Sequence, residues 1–200
     1  MSVDASGKFG GSMVFAKWKG RNYARQLVIP QNPQSAKQKG VRAMMAFLAT
    51  VWKAKALPKW TDYSVDAAAR AISTFNAYMA ANLARWQLNK TPAQVYPAAD
   101  ATGACVITTA TMTGYAGYMS AVITPATNAN IFGVAVYRDS AAITAPGWAN
   151  CVAIIPRSGV TAFTFTDAPL AAGTYHYRFS QFNIDGVQGT VLADATVVVT

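Results

Sequence analysis

Six residues within a span of nine could do chemistry together: Lys17, Trp18, Lys19, Arg21, Tyr23 and Arg25. Four cations with two aromatic rings among them can grip phosphates and stack on bases. The same set can pair with carboxylates on an acidic protein surface, where Arg, Trp and Tyr are favoured anchors. Lys37, Lys39 and Arg42 continue the basic run a short way downstream.

Catalysis has thinner material. Every acid in the chain is Asp, and there is one His. Asp62 and Asp66 stand at i and i+4, on one helix face, yet a hard cation wants about six or more oxygen ligands. The pair reads as solvated surface. His176 lies in a predicted strand, and alternation puts it on the face opposite Tyr175 and Tyr177. No Ser, Asp or Cys has a spacing that would pair with it. Glycan hydrolysis would need two carboxylates about 5–9.5 Å apart in a cleft, and so few acids make it the weakest reading. Cys105 and Cys151 fall on predicted strands, where they either pair or remain two buried thiols. Gly7, Gly10 and Gly11 do not open a helix, so they do not make a phosphate loop. The sequence therefore predicts a non-enzyme with no cofactor and no metal.

The elements that must position the basic set follow from periodicity. Residues 13–29 alternate apolar and polar on both sides of a turn at Lys19-Gly20-Arg21-Asn22, a β-hairpin pattern. Phe15, Tyr23, Leu27 and Ile29 are expected on one face, with Lys17, Lys19, Arg21 and Arg25 on the other or in the turn. Trp18 falls out of that register, so a bulge or bend is expected beside it. After the Pro30 to Pro33 break, Ser35 is a good helix cap. Val41, Met44, Met45, Leu48, Val51 and Trp52 then have helical spacing to about Lys55. Basic charge on the first turns of that helix opposes its macrodipole, which an anionic partner would relieve. A second helix is expected from about Thr61 to Asn89, with Ile72, Phe75, Met79, Leu83 and Trp86 as its stripe. Residues 91–100 read as a linker. Beyond it seven strands are expected, near 104–113, 117–124, 131–138, 150–155, 160–166, 174–183 and 189–199, a β-sandwich pattern.

Charge divides the chain in the same place. Through Lys90 there are 14 basic residues against three acids, a surplus of +11; the remainder is −2, for a net charge of +9. At 52% apolar content the 200 residues can build real cores. The apolar runs are too short to span a bilayer, and the first residues lack a secretory pattern, so a cytoplasmic start is expected.

Two stretches carry resemblances. Asn130-Ile131-Phe132-Gly133-Val134-Ala135-Val136-Tyr137-Arg138-Asp139 and Leu170-Ala171-Ala172-Gly173-Thr174-Tyr175-His176-Tyr177-Arg178-Phe179 resemble a fibronectin type III or Ig-like domain. That resemblance implies a tyrosine corner at Tyr175. The core Trp of many such domains is missing from the second strand, where Val122 or Ile123 stands instead. Trp18-Lys19-Gly20-Arg21, Asn32-Pro33-Gln34-Ser35 and Gln38-Lys39-Gly40-Val41-Arg42, with Phe75 to Asn82, resemble a group of short phage-encoded proteins. This implies a virion structural protein of a tailed phage.

The expected architecture is thus an α+β module of a β-hairpin plus two helices, residues 1–97, followed by an all-β Ig-like sandwich, residues 98–200. The expected role is a non-enzymatic virion component in capsid decoration, neck or tail. It would be present in many copies, anchored through Lys17, Trp18, Lys19, Arg21, Tyr23, Arg25, Lys37, Lys39 and Arg42 to other virion proteins. The alternative is a nucleic-acid-binding protein that uses the same hairpin.

Overall fold

The computed structural model describes residues 7–9, 12–28, 34–54, 62–98, 101–102, 106–126, 131–159, 161–184, 187–189 and 191–200. The chain is α+β. Contacts divide it into two compact units, Met1–Gln34 and Ser35–Thr200.

The first unit is a three-stranded antiparallel sheet of β1 (Gly7–Phe9), β2 (Met13–Trp18) and β3 (Arg21–Gln26), in the order β1-β2-β3. Val14, Phe15 and Ala16 are half-buried, and all six residues of β3 are exposed. Ile29 and the Pro30 to Pro33 break lie outside the described residues.

The second unit begins with helices α1 (Ala36–Ala54), α2 (Asp62–Ala69) and α3 (Thr74–Gln87). Among the described residues nine strands follow: β4 (Ala101–Thr102), β5 (Ile107–Tyr115), β6 (Tyr118–Pro125), β7 (Phe132–Asp139), β8 (Cys151–Arg157), β9 (Phe163–Asp167), β10 (Gly173–Asn183), β11 (Val187–Gln188) and β12 (Ala195–Val199). Seven of these overlap the seven read from alternation; β4 and β11 are short additions. One sheet has the order β5-β6-β9. The other runs β4-β11-β10-β7-β8, with β12 also on β10. Pairing is antiparallel except between β4 and β11.

The single helix expected over 61–89 is two. Ala71 takes a left-handed φ of 52°, the Ile72 amide reaches back to the Ala67 carbonyl, and the Ala71 amide to that of Ala68. That is a Schellman stop, normally made with Gly. Ser73 then caps α3, its side chain accepting from the Asn76 amide at 3.2 Å.

The helices are not a separate module. Met44, Phe47, Leu48 and Val51 of α1 share one core with Tyr63, Tyr78 and Trp86, with Ala135, Tyr137, Ile154 and Phe182 of the strands, and with Ile184 just after β10. The opposite faces of those strands, with Phe132, Val134, Val136, Tyr177 and Phe179, share a second core with Ile107, Met119, Ala121 and Ile123. Strand β7 is buried on both sides, which explains its unbroken apolar run. Ile123 is the buried member of the Val122–Ile123 pair, and Val122 is half-exposed.

The expected linker is part of the packing. Thr91, Ala93 and Gln94 are buried, and the Gln94 amide donates to the Ile184 carbonyl at 2.7 Å. The helical core also differs in detail from the stripe read off the sequence. Phe47 is buried and Met45 exposed on α1, while on α3 the buried row is Tyr78, Asn82 and Trp86. Asn82 carries full hydrogen bonding: its Oδ1 accepts from the Ala93 amide (2.6 Å), and its Nδ2 donates to the Tyr78 carbonyl (3.0 Å) and Tyr63 Oη (3.2 Å). The division expected at residue 97 thus crosses a shared core, and the contacts separate the chain after Gln34 instead.

Candidate interaction surface

The hairpin's geometry starts at its turn. Lys19 and Gly20 both have positive φ, 48° and 80°, which makes a two-residue turn whose twist suits the flanking strands. Gly20 adopts that conformation freely; the turn, Trp18 to Arg21, sits one residue earlier than the expected Lys19-Gly20-Arg21-Asn22. The register runs without a shift from Trp18↔Arg21 through Lys17↔Asn22, Ala16↔Tyr23, Phe15↔Ala24 and Val14↔Arg25 to Met13↔Gln26. Trp18 therefore closes the ladder, and the bulge expected beside it is absent.

Register assigns the faces, because directly opposed residues project to the same side. Trp18, Arg21, Tyr23 and Arg25 share one face with Val14 and Ala16. Lys17 lies on the other with Phe15, Asn22 and Ala24. Sequence alternation had instead separated Tyr23 from the two arginines. That expectation grouped residues by polarity, whereas residues 21, 23 and 25 are two apart along β3 and so share a face whatever the length of the turn.

Trp18 is 67% exposed and Tyr23 42%. Lys19 Nζ stands 4.8 Å from the Trp18 ring centroid, a cation–π contact. Trp18, Lys19, Arg21, Asn22 and Tyr23 line a concavity of about 540 Å³. Among the described residues of this unit there is no Asp or Glu.

The other three expected anchors belong to the second unit, on α1. Lys37 and Arg42 are exposed and Lys39 is half-buried. Lys37 Nζ lies 5.9 Å from the Trp148 ring, and Lys37, Gln38, Val41, Arg42, Met45 and Trp148 line a shallow groove of about 410 Å³. Ser35 Oγ accepts weakly from the Gln38 amide at 3.4 Å. The nine expected anchors are thus divided between two units: six on the hairpin and three on α1.

The remaining candidates resolve individually. Tyr175 Oη donates to the Ala171 carbonyl at 3.0 Å. Cys151 is a free, buried thiol; burial pushes it up to about 12, with backbone hydrogen bonds acting the other way. Cys105 lies outside the described residues. Asp66 pairs with Arg70 at 3.1 Å along α2 and its end.

His176 does have a partner, contrary to the spacing argument. Its Nδ1 is 2.6 Å from Asp194 Oδ2, and Asp194 Oδ1 accepts from the Ile143 amide. Burial alone would raise the Asp194 carboxyl, but the bonds from His176 and the Ile143 amide, with the charges of His176 and Arg178, hold it below its usual value. Sequence distance hid this pair, since β12 brings Asp194 beside β10 only after the intervening loop. A second cluster was also missed. Asp167 Oδ2 accepts from Arg138 Nη1 at 2.7 Å and from Tyr177 Oη at 2.9 Å, joining β9 of one sheet to β7 and β10 of the other.

No protein-family model matches this chain, and no curated protein matches it either.

Proposed function

We propose that this protein is a non-enzymatic structural component of a tailed-phage virion, anchored through its basic hairpin. One observation carries the reading: the sheet of β1, β2 and β3 presents two exposed aromatics and several cations, with no acid among the described residues of its unit. Such a surface has its purpose in a partner. The resemblance of Trp18-Lys19-Gly20-Arg21 and the segments after it to short phage-encoded proteins supports the setting.

The β unit is read as an Ig-like domain of the fibronectin type III kind. The order β5-β6-β9 corresponds to strands A, B and E, and β8-β7-β10-β12 to C′, C, F and G. The Tyr175 bond to Ala171 supports the tyrosine corner expected from the resemblance. In this reading the helices are a cover on the C′CFG sheet, and the ABE sheet is the displayed side. Anchoring works by avidity: many copies, each of modest affinity, on a repeating lattice.

Purified virions from a lysogen or lysate that encodes the chain should contain it at many copies per particle by quantitative mass spectrometry. Virions assembled with Arg21→Ala and Arg25→Ala together should lose most of those copies while the variant remains folded in the lysate. Particles that lack the wild-type polypeptide would end the proposal.

A further inference from the structure

We infer that β3 is the docking edge of the hairpin, and that the partner is an extended acidic segment which adds to it as a further strand. The inference rests on the anchoring reading above and names the chemistry of what is anchored to.

The sheet order β1-β2-β3 makes β3 terminal among the described residues, and all six of its residues are exposed. A terminal strand offers a row of backbone donors and acceptors to another chain. Its pairing phase can be read from the ladder. The pair that closes a two-residue turn exchanges hydrogen bonds, and bonded pairs then alternate along the strands. Arg21, Tyr23 and Arg25 therefore bond inward to β2. The Leu27 amide, in the same phase, donates to the Ser12 carbonyl at 2.7 Å. The backbone groups of Ala24 and Gln26 are consequently turned outward, toward an added strand.

Side chains supply the selection. Arg21, Tyr23 and Arg25 fall at period two on one face, so an added strand meets cation, aromatic ring and cation at alternate positions. Opposite charges at directly facing positions stabilise a strand pair and like charges destabilise it. The complement is a strand with acidic residues four apart and an apolar residue between them. A second copy of this chain does not supply it: its one pair of acids four apart, Asp62 and Asp66, lies on helix α2 with the polar Ser64 between them. A regular register without a bulge leaves the edge straight enough to template pairing. Charged residues on an edge also guard it against self-association, so the same arginines reject β3 of another copy and accept an acidic strand.

The test uses the full-length protein, isotopically labelled, and a capped peptide Thr-Glu-Thr-Val-Thr-Glu-Thr. Saturating peptide should slow amide exchange at Ala24 and Gln26 about tenfold or more, while a Lys-for-Glu peptide leaves them unchanged. Arg21→Glu with Arg25→Glu should reverse that preference. N-methylation of the peptide at its pairing amides should weaken binding about tenfold or more. Equal binding of the N-methylated peptide, or binding without protection at Ala24 and Gln26, overturns strand addition and leaves anchoring to the virion measurement. Absence of binding up to millimolar peptide overturns it as well. So does tighter binding of single-stranded oligothymidylate, which would place a nucleic acid on this face.

Discussion

Gly40→Ala separates helix propensity from packing, because the two predict opposite signs. On an exposed helix this substitution stabilises by about 1 kcal/mol, since Gly loses more backbone freedom on folding. Gly40, however, is where α1 meets the loop before β8. A Cβ there would lie 2.0 Å from the Trp148 carbonyl oxygen, 3.1 Å from its carbon and 3.4 Å from the Cys151 oxygen. Ordinary carbon contacts are about 3.5 Å or more, so α1 or the loop must retreat by more than an ångström. The Gly40 carbonyl also accepts from buried Trp86 Nε1 at 3.2 Å, a bond that a retreat of that size breaks. Overpacking costs about 1–3 kcal/mol and a buried unsatisfied donor about 1–3 kcal/mol. After the propensity gain the net is a loss of about 1–5 kcal/mol. Urea titration followed by tryptophan fluorescence measures it, with an unchanged m-value required for the comparison. A variant as stable as the wild type, or more so, would refute the close approach of α1 to this loop.

Ala71→Gly should act in the other direction: the left-handed Ala71 at the Schellman stop is relieved, raising stability by up to about 1 kcal/mol in the same titration. Asn82→Ala should lower stability by about 3 kcal/mol, because it strands the buried Ala93 amide and unlinks Tyr63 from α3. Asp167→Ala leaves the Arg138 guanidinium and Tyr177 hydroxyl without their shared acceptor and should cost about 2–3 kcal/mol; adding Arg138→Met should recover part of it. Alkaline pH gives a further check. Burial raises Tyr63 to about 12 and also raises Tyr78, Tyr137 and Tyr177, all from an ordinary 10.0. A folded-state value above the unfolded one means stability is complete below pH 10 and falls as pH climbs toward the folded values. The slope is about 1.4 kcal/mol per pH unit for each buried tyrosine, and urea midpoints between pH 9 and 11.5 should show it.

Strand alternation in the second half was readable because β5, β6 and β10 each alternate in type, and because Gly, Pro and Asn punctuate them. The hairpin was readable for the same reason, and Lys19-Gly20 made its turn. Face assignment on the hairpin was not readable to one residue, since Trp18 and Tyr23 sit on either side of a turn whose exact length sets the phase. Helical packing was less legible still. The apolar positions of α1 and α3 predict a buried stripe but not which surface buries it, and Ala135 and Tyr137 look the same whether a sheet or a helix covers them. Only the near-continuous apolar run of β7 hinted that its second face was also covered. His176–Asp194 and Arg138–Asp167–Tyr177 join residues distant in sequence, so no local pattern could pair them.

The shared core beneath α1 and α3 sets where this gene can be recombined. A join after Gln34 leaves both cores of residues 35–200 whole, so hairpins of different charge and edge chemistry can be exchanged among otherwise unchanged bodies. A join at residue 97 instead strips the helices from the strands and bares Tyr137, Ile154, Phe182 and Ile184 at once. The charge boundary in the sequence therefore does not mark the division between the compact units, which falls some sixty residues earlier, after Gln34.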